Sequence, residues 1–195
     1  MQSKLILFNG PRHSGKDTAA IHCQQQFGAY HFKLSGPIKA AIKSMFELKD
    51  ETVELLEEVK TQAIPVLFDN SYVDCQISFS EDWAKKLFGN YVFGNLAARH
   101  VNRHILEHPE QELYVCSDSG FAAEAEPLIR LFGPKNCLLV KLHRPGKTFE
   151  GDSRSYISLD EVKTVELSND YDTEIYCQSI DDLVTSWLLE LHGTI

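Results

Sequence analysis

The sequence predicts an α/β domain, a mostly parallel sheet covered on both faces by helices. Three observations predict it. Short apolar runs alternate along the chain with stretches of helical periodicity, the pattern of repeated strand–helix–strand units. The first run, Leu5-Ile6-Leu7-Phe8, passes straight into the glycine-rich segment Gly10-Pro11-Arg12-His13-Ser14-Gly15-Lys16-Asp17-Thr18, which opens a helix. With 195 residues, 43% of them hydrophobic, the chain is long enough for one domain with a sizeable core.

The first strand is expected over about residues 3 to 8 and the first helix over about 15 to 26, with Ala19, Ala20, Ile21 and Cys23 on its packing face. The segment between them has the make-up of a phosphate loop. Gly10 and Gly15 permit backbone that side chains would block, and successive N–H groups at a helix N-terminus then cradle phosphates. Lys16 supplies the ammonium for the outer phosphates, while Arg12, His13 and Ser14 complete the loop. Asp17 follows Lys16 directly and the hydroxyl of Thr18 comes one step later, an order that points to a small-molecule kinase rather than a switch GTPase. The chain is therefore expected to be of the P-loop NTPase-like, nucleotide-kinase type and to bind a nucleoside triphosphate.

Tyr30 to Leu34 reads as a second short strand, and Ser35-Gly36-Pro37 starts a helix carrying Ile38, Ala41, Ile42, Met45 and Phe46 at helical spacing. Residues 50 to 60 are acidic and read as a surface helix. An irregular excursion is expected over 61 to 80, then helices from Glu81 to Phe88 and from Val92 to Glu107. The strand Leu113 to Cys116 ends in Ser117-Asp118-Ser119-Gly120 and leads into a helix over 121 to 132; the strand Cys137 to Leu142 ends in His143-Arg144-Pro145-Gly146. After a polar stretch through Ser155, Thr164 to Leu167 reads as a strand, Glu174 to Cys177 as a short extension, and Ile180 to His192 as a terminal amphipathic helix. The whole is one domain over 1–195, with an acceptor-side insertion at about 50–107 and a small lid at about 143–156.

Composition narrows the partners. A net charge of −9 advertises no broad basic face for duplex DNA and favours small nucleotides. Cys23, Cys75, Cys116, Cys137 and Cys177 form no C-x-x-C pair and read as reduced, structural thiols. No apolar stretch approaches the roughly 20 residues that span a bilayer, so a soluble, cytoplasmic protein is expected.

In a doubly wound sheet the active groups stand at the C-terminal strand ends. Asp118 is placed there, either to organise magnesium with Thr18, to take the acceptor hydroxyl's proton, or to cap the following helix. Asp17 either orients the acceptor or metal shell or favours the helix dipole. Arg144 and Arg154, on a glycine-containing segment, are candidate phosphate clamps. Arg99 and Arg103 share a helix face and, with Ser35 and Lys39, are candidates for the acceptor side. His100 and His104 share a face too, with no nearby acid or cysteine to complete a zinc site.

Several segments, in order, resemble phage deoxynucleoside monophosphate kinases: L-I-L-F-N-G-P-R-H-S-G-K-D-T at the start, L-S-G-P-I-K-A-A at Leu34 to Ala41, the strand-end S-D with E-A-E-P-L at Glu124 to Leu128, H-R-P-G at His143 to Gly146, and E-L-S-N-D at Glu166 to Asp170. The resemblance implies an adenylate-kinase-like P-loop fold, ATP and magnesium, a deoxynucleoside monophosphate acceptor, and Asn169-Asp170 near the adenine. Residues 50 to 90 carry no motif of that family, and Gly120 stands where an arginine often follows the strand-end aspartate. The related phage kinases that phosphorylate 5-hydroxymethyldeoxyuridine within DNA look similar at the same loop. A dephospho-coenzyme A kinase and a nucleotide-binding module without turnover are the remaining alternatives. The oligomeric state is left open.

Overall fold

The computed structural model describes residues 3–170, 172–191 and 193. Along the chain run β1 (Lys4–Asn9), α1 (Lys16–Phe27), β2 (Tyr30–Phe32), α2 (Gly36–Met45), α3 (Asp50–Glu58), β3 (Ala63–Ile64), β4 (Asn70–Ser71), α4 (Tyr72–Ile77), α5 (Lys85–Phe88), α6 (Val92–Glu107), β5 (Leu113–Cys116), α7 (Ala122–Phe132), β6 (Cys137–His143), β7 (Lys163–Ser168) and α8 (Thr173–Leu191). Five strands form one sheet in the order β2-β5-β1-β6-β7, every neighbouring pair parallel. The expected parallel sheet between helical layers is what forms.

Burial of β1 on both faces explains the arrangement. All six of its residues are buried, and the alternation of a strand sends them to two different cores. Leu5 and Leu7 join Ala97 and Val101 of α6 and Leu128 and Phe132 of α7 on one face. Ile6 and Phe8 join Ala19, Ala20 and Cys23 of α1 and Tyr176, Ile180, Val184 and Trp187 of α8 on the other.

A third cluster lies apart from the sheet. Ile38, Ile42, Leu48, Leu56, Leu67, Tyr72, Ala84 and Phe93 make a small core of their own from α2, α3, the β3–β4 hairpin and α4 to α6. Lys85 ties this unit to α7: its ammonium meets Glu81 at 2.8 Å and Glu124 at 3.0 Å and lies 3.9 Å from the centre of the Phe121 ring. At Gly94 a Cβ would fall 2.2 Å from the Glu124 carbonyl oxygen, so only glycine lets α6 approach α7 this closely.

Two expectations are corrected. The region 61 to 80 is not irregular: β3 and β4 pair as a hairpin across the turn at Pro65–Leu67, and a helix starts at Tyr72, nine residues earlier than the expected Glu81. Ser71 caps it, its Oγ accepting from the Asp74 amide at 3.0 Å and donating to the Asp74 carboxylate at 2.6 Å. The periodicity is hidden because Ser78–Ala84 is wound as a π-helix, which shifts every later side chain off the 3.6-residue repeat. Glu174 to Cys177 is helical, not a strand extension. Asp172 Oδ1 accepts from the amides of Glu174 at 2.9 Å and Ile175 at 3.1 Å, so α8 is capped a full turn before its most apolar stretch. His192, the expected end of that helix, lies outside the described residues.

All five cysteines are free thiols, with Cys23, Cys116 and Cys137 buried. Burial pushes the thiols of Cys23 and Cys137 up to about 12, which leaves them unreactive. Among the described residues no helix is long and apolar enough to cross a membrane. Trp187, 2% exposed, is the largest buried side chain beneath the sheet. Replacing Trp187 by alanine is expected to cost about 3–5 kcal/mol, read as a lowered urea midpoint.

Candidate active site

The loop between β1 and α1 is shaped by contacts that only glycine permits at two positions. A Cβ on Gly10 would sit 2.7 Å from Ser14 Oγ and 2.8 Å from the Leu142 carbonyl oxygen. Gly15 has φ of +100°, and a Cβ there would fall 2.4 Å from Asn169 Nδ2. His13 adopts φ of +61°, an unusual backbone for a side-chain-bearing residue and one that tightens the loop before Ser14.

Three elements hold the loop by its carbonyl groups. Arg144 Nη1 donates to His13 O at 3.0 Å, Asn169 Nδ2 to Ser14 O at 3.0 Å, and the Tyr176 hydroxyl to Gly15 O at 3.1 Å. Because a trans peptide puts its N–H opposite its C=O, these bonds turn the amides of Gly15 and Lys16 to the other side of the chain. Asn169 is itself buried, and its backbone amide is fixed to His143 O at 2.7 Å. It braces the loop. The buried hydroxyl of Ser14 finds no partner among the described residues. A cradle closed to any Cβ, an unpaired hydroxyl and amides turned away from their anchored carbonyls fit the phosphates of a nucleotide.

Lys16 folds over the loop, its ammonium donating to Gly10 O at 2.7 Å and Pro11 O at 2.6 Å. Burial, then the nearby Arg154 guanidinium, push its pKa down to about 8. Asp17, beside it, points to the C-terminal ends of β2 and β5. Its Oδ1 accepts from Lys33 Nζ at 2.7 Å and from the Ser117 hydroxyl at 2.8 Å, and Ser117 in turn takes a bond from His31 Nε2 at 2.9 Å. Burial works against the carboxylate, but the bonds from Lys33 and Ser117 outweigh it and hold Asp17 below the usual range. Asp17 is thus more than a helix-dipole acid. Thr18 is exposed on the first turn of α1. Among the described residues no three His, Cys, Asp or Glu side chains cluster as a metal cage. Magnesium bound chiefly through nucleotide phosphates, with Thr18 or Asp17 as a protein ligand, fits this donor set.

Asp118 crosses from β5 to the start of α2. Its two oxygens accept from the amides of Leu34 at 2.7 Å and Ser35 at 2.9 Å. The helix end it satisfies is that of α2, not the α7 that follows it in sequence. This brings Ser35 to the same strand ends as the loop.

Arg154 lies across Gly120, where a Cβ would fall 2.4 Å from its Cδ. Asp152 holds its head, Oδ1 accepting from Nε at 2.9 Å and Oδ2 from Nη2 at 2.5 Å, and Arg12 Nε reaches the same Oδ2 at 3.5 Å. Hydrogen bonds from Arg154 drive the Asp152 carboxyl down to about 2. Arg12, Arg144, Arg154 and Lys16 therefore gather around one loop.

The remaining acceptor-side candidates make the following contacts. Lys39 pairs with Glu57 at 2.5 Å, binding α2 to α3. Arg99 lines a groove of about 380 Å³ between α6 and α7 with Asn95, Ala98, Asn102, Pro127 and Arg130, and no phosphate-loop residue borders it. Arg103 is exposed one turn further along α6. The i, i+4 spacing reported a shared face correctly, but that face is turned to solvent because Ala97 and Val101 take the core side of α6. His100 and His104 are engaged by aromatic partners: His100 bonds the Tyr30 hydroxyl at 2.8 Å, and His104 bonds the Tyr114 hydroxyl at 3.1 Å and stacks on Tyr30.

Sequence reasoning missed Asp152, Tyr176, Lys33, Ser117 and Asn9. Asp152 had a local signal, an Asp two residues before Arg154 in E-G-D-S-R. Asn9 had its place at the end of β1. Its Nδ2 donates to Ser119 O at 2.8 Å and Ser155 O at 3.2 Å, and its Oδ1 accepts from the Ile157 amide at 3.1 Å.

A family model of deoxynucleotide monophosphate kinases matches residues 4–65, which hold both the phosphate loop and the Ser35 segment. A protein of Acanthamoeba polyphaga mimivirus described as a "Putative deoxynucleotide monophosphate kinase" is 26% identical over 185 residues, 90% of this chain and 94% of its own. The chain is a kinase, similar in sequence to the deoxynucleotide monophosphate kinases. Its fold is also that of the Mycobacterium tuberculosis APS kinase CysC, solved in complex with AMPPNP and APS, at a TM-score of 0.51 and 13% identity, covering 94% of this chain and 98% of that one.

Binding of a nucleotide to this kinase should depend on pH through Lys16. The protein without nucleotide loses the Lys16 charge as pH rises through about 8, whereas a bound triphosphate holds the proton on. Affinity for AMPPNP is therefore expected to be flat below pH 7 and to fall by up to about tenfold per unit above about pH 8. Calorimetric titrations across that range test it, and Lys16→Arg, which stays charged, should flatten the curve.

Proposed function

We propose that the kinase transfers the γ-phosphate of ATP to a deoxynucleoside monophosphate. The observation that carries the reading is the bond from Asp118 to the Leu34 and Ser35 amides, which sets the L-S-G-P segment against the phosphate loop. Both halves of that arrangement lie in the residues matched by the family model, apart from Asp118 itself. The acidic net charge of −9 favours a free nucleotide over a polymer.

Phosphoryl transfer needs little covalent help and much positioning, because charge spreads over the transferred group as it moves. The loop amides and Lys16 hold the β- and γ-phosphates. An oxygen of the acceptor's phosphate, already anionic, attacks the γ-phosphorus, and the bond to the β–γ bridging oxygen breaks, leaving ADP and a deoxynucleoside diphosphate. Arg144 and Arg154 stabilise the equatorial oxygens during the exchange. Magnesium would be held by Thr18, with Asp118 and Asp17 near it, and would supply neutralising charge to the phosphates. Segment 143–156 serves as the lid, its Gly146 and Gly151 at φ of +71° and +72° marking where it turns. The acceptor sits on the side built by α2 and the insertion of about 50–107.

The test is transfer of label from γ-labelled ATP to a panel of free deoxynucleoside monophosphates, beside duplex DNA bearing 5-hydroxymethyldeoxyuridine and dephospho-coenzyme A. Label on the free monophosphates is the expected result. Label confined to the DNA or to dephospho-coenzyme A would assign the acceptor to that compound instead. With the preferred acceptor, Arg154→Ala is expected to lower kcat by about 10²–10³-fold, as for loss of one preorganised donor to the transferring group.

A further inference from the structure

Arg154 is held from three directions. Its backbone neighbour is pinned by Asn9, which donates to Ser155 O at 3.2 Å and accepts from the Ile157 amide at 3.1 Å. Its stem lies on Gly120, in space that a single Cβ would claim, 2.4 Å from Cδ. Its head is gripped by Asp152, a carboxylate with a side chain only 9% exposed, through Nε at 2.9 Å and Nη2 at 2.5 Å.

The grip is side-on. It uses the Nε–Nη2 edge of the guanidinium and leaves the end fork, Nη1 with the second N–H of Nη2, without a partner among the described residues. A planar cation held by one fork presents the other in a fixed direction, which a free arginine attains only by losing side-chain entropy. Arg154 also acts on the Lys16 ammonium, which places its charge beside the outer-phosphate site. Asp152 reaches Arg12 of the loop at 3.5 Å as well, so one carboxylate joins segment 143–156 to the phosphate loop.

We infer that Asp152 is a positioning residue for phosphoryl transfer, holding Arg154 side-on over the bare Cα of Gly120 so that its end fork meets the transferred group. The inference rests on the reading of Arg154 as a phosphoryl-stabilising arginine. Gly120 serves the same purpose by vacating the space, not by backbone freedom, since its φ is not positive and the only close contacts of an added Cβ are with the Arg154 stem.

A double-mutant cycle tests it, with steady-state transfer to the preferred acceptor and calorimetric binding of AMPPNP as readouts. Asp152→Asn is expected to lower kcat by about 10–100-fold while leaving the AMPPNP Kd within about threefold, because orientation and not ground-state binding is lost. In the Arg154→Ala background, Asp152→Asn should cost less than about twofold. Gly120→Ala, whose added methyl group meets only the Arg154 stem, should repeat the pattern: a loss of kcat in the parent and none once Arg154 is gone. Equal losses in both backgrounds, or full kcat in Asp152→Asn, would overturn the inference while leaving Arg154 in its role. Full kcat in Arg154→Ala would instead overturn the role of Arg154, and the inference with it.

Discussion

The phosphate loop of this kinase depends on hydrogen bonds made to its carbonyl groups by parts of the chain more than a hundred residues away. Arg144, Asn169 and Tyr176 each take one carbonyl, from His13, Ser14 and Gly15 in turn. A glycine-rich segment is entropically costly to order, and left alone it would sample many shapes. Binding the carbonyls on one side selects the shape in which the amides face the other. The anchors come from the turn after β6, the end of β7 and the first turns of α8, so the cradle forms only when the second half of the sheet has docked.

The same logic governs the polar residues at the strand ends. Asn9, Asp118 and Asp152 are each buried or half-buried and each bridges two segments that are distant in sequence, Asp152 through its ion pair with Arg12. A buried carboxylate or amide without partners would be destabilising, and each of these is satisfied by backbone amides, carbonyls or an arginine. Their joint effect is to bring the loop, the opening of α2 and segment 143–156 to one edge of the sheet. Chemistry and stability therefore draw on the same bonds here.

The unit at 38–93 follows a different rule. It has its own core, and Gly94 and the Lys85–Glu124 pair join it to α7 of the sheet domain. Nine of its large apolar side chains between Met45 and Tyr91, Phe68 and Trp83 among them, stand exposed.

The sheet and its loop were legible in the sequence because both are written in local patterns. A strand buried on two faces is a run of apolar residues, and a cradle without room for a Cβ is a pair of glycines at fixed spacing around Lys16. The helix beginning at Tyr72 was not legible, since a π-helical stretch breaks the repeat by which helices are read. Tyr176 was read as strand because its helix is started by a cap at Asp172, four residues before it, and not by apolar periodicity. Spacing placed Arg99 and Arg103 on one face but carried no information on which way α6 would turn, and packing turned that face to solvent. The sequence by itself determined the fold class, the phosphate loop and the arginines available to it. Only the tertiary structure decided which of those arginines converge and what holds them, because partners such as Asp152 and Arg12 in an ion pair, or Asn169 and Ser14 in a hydrogen bond, are far apart along the chain and leave no periodic trace.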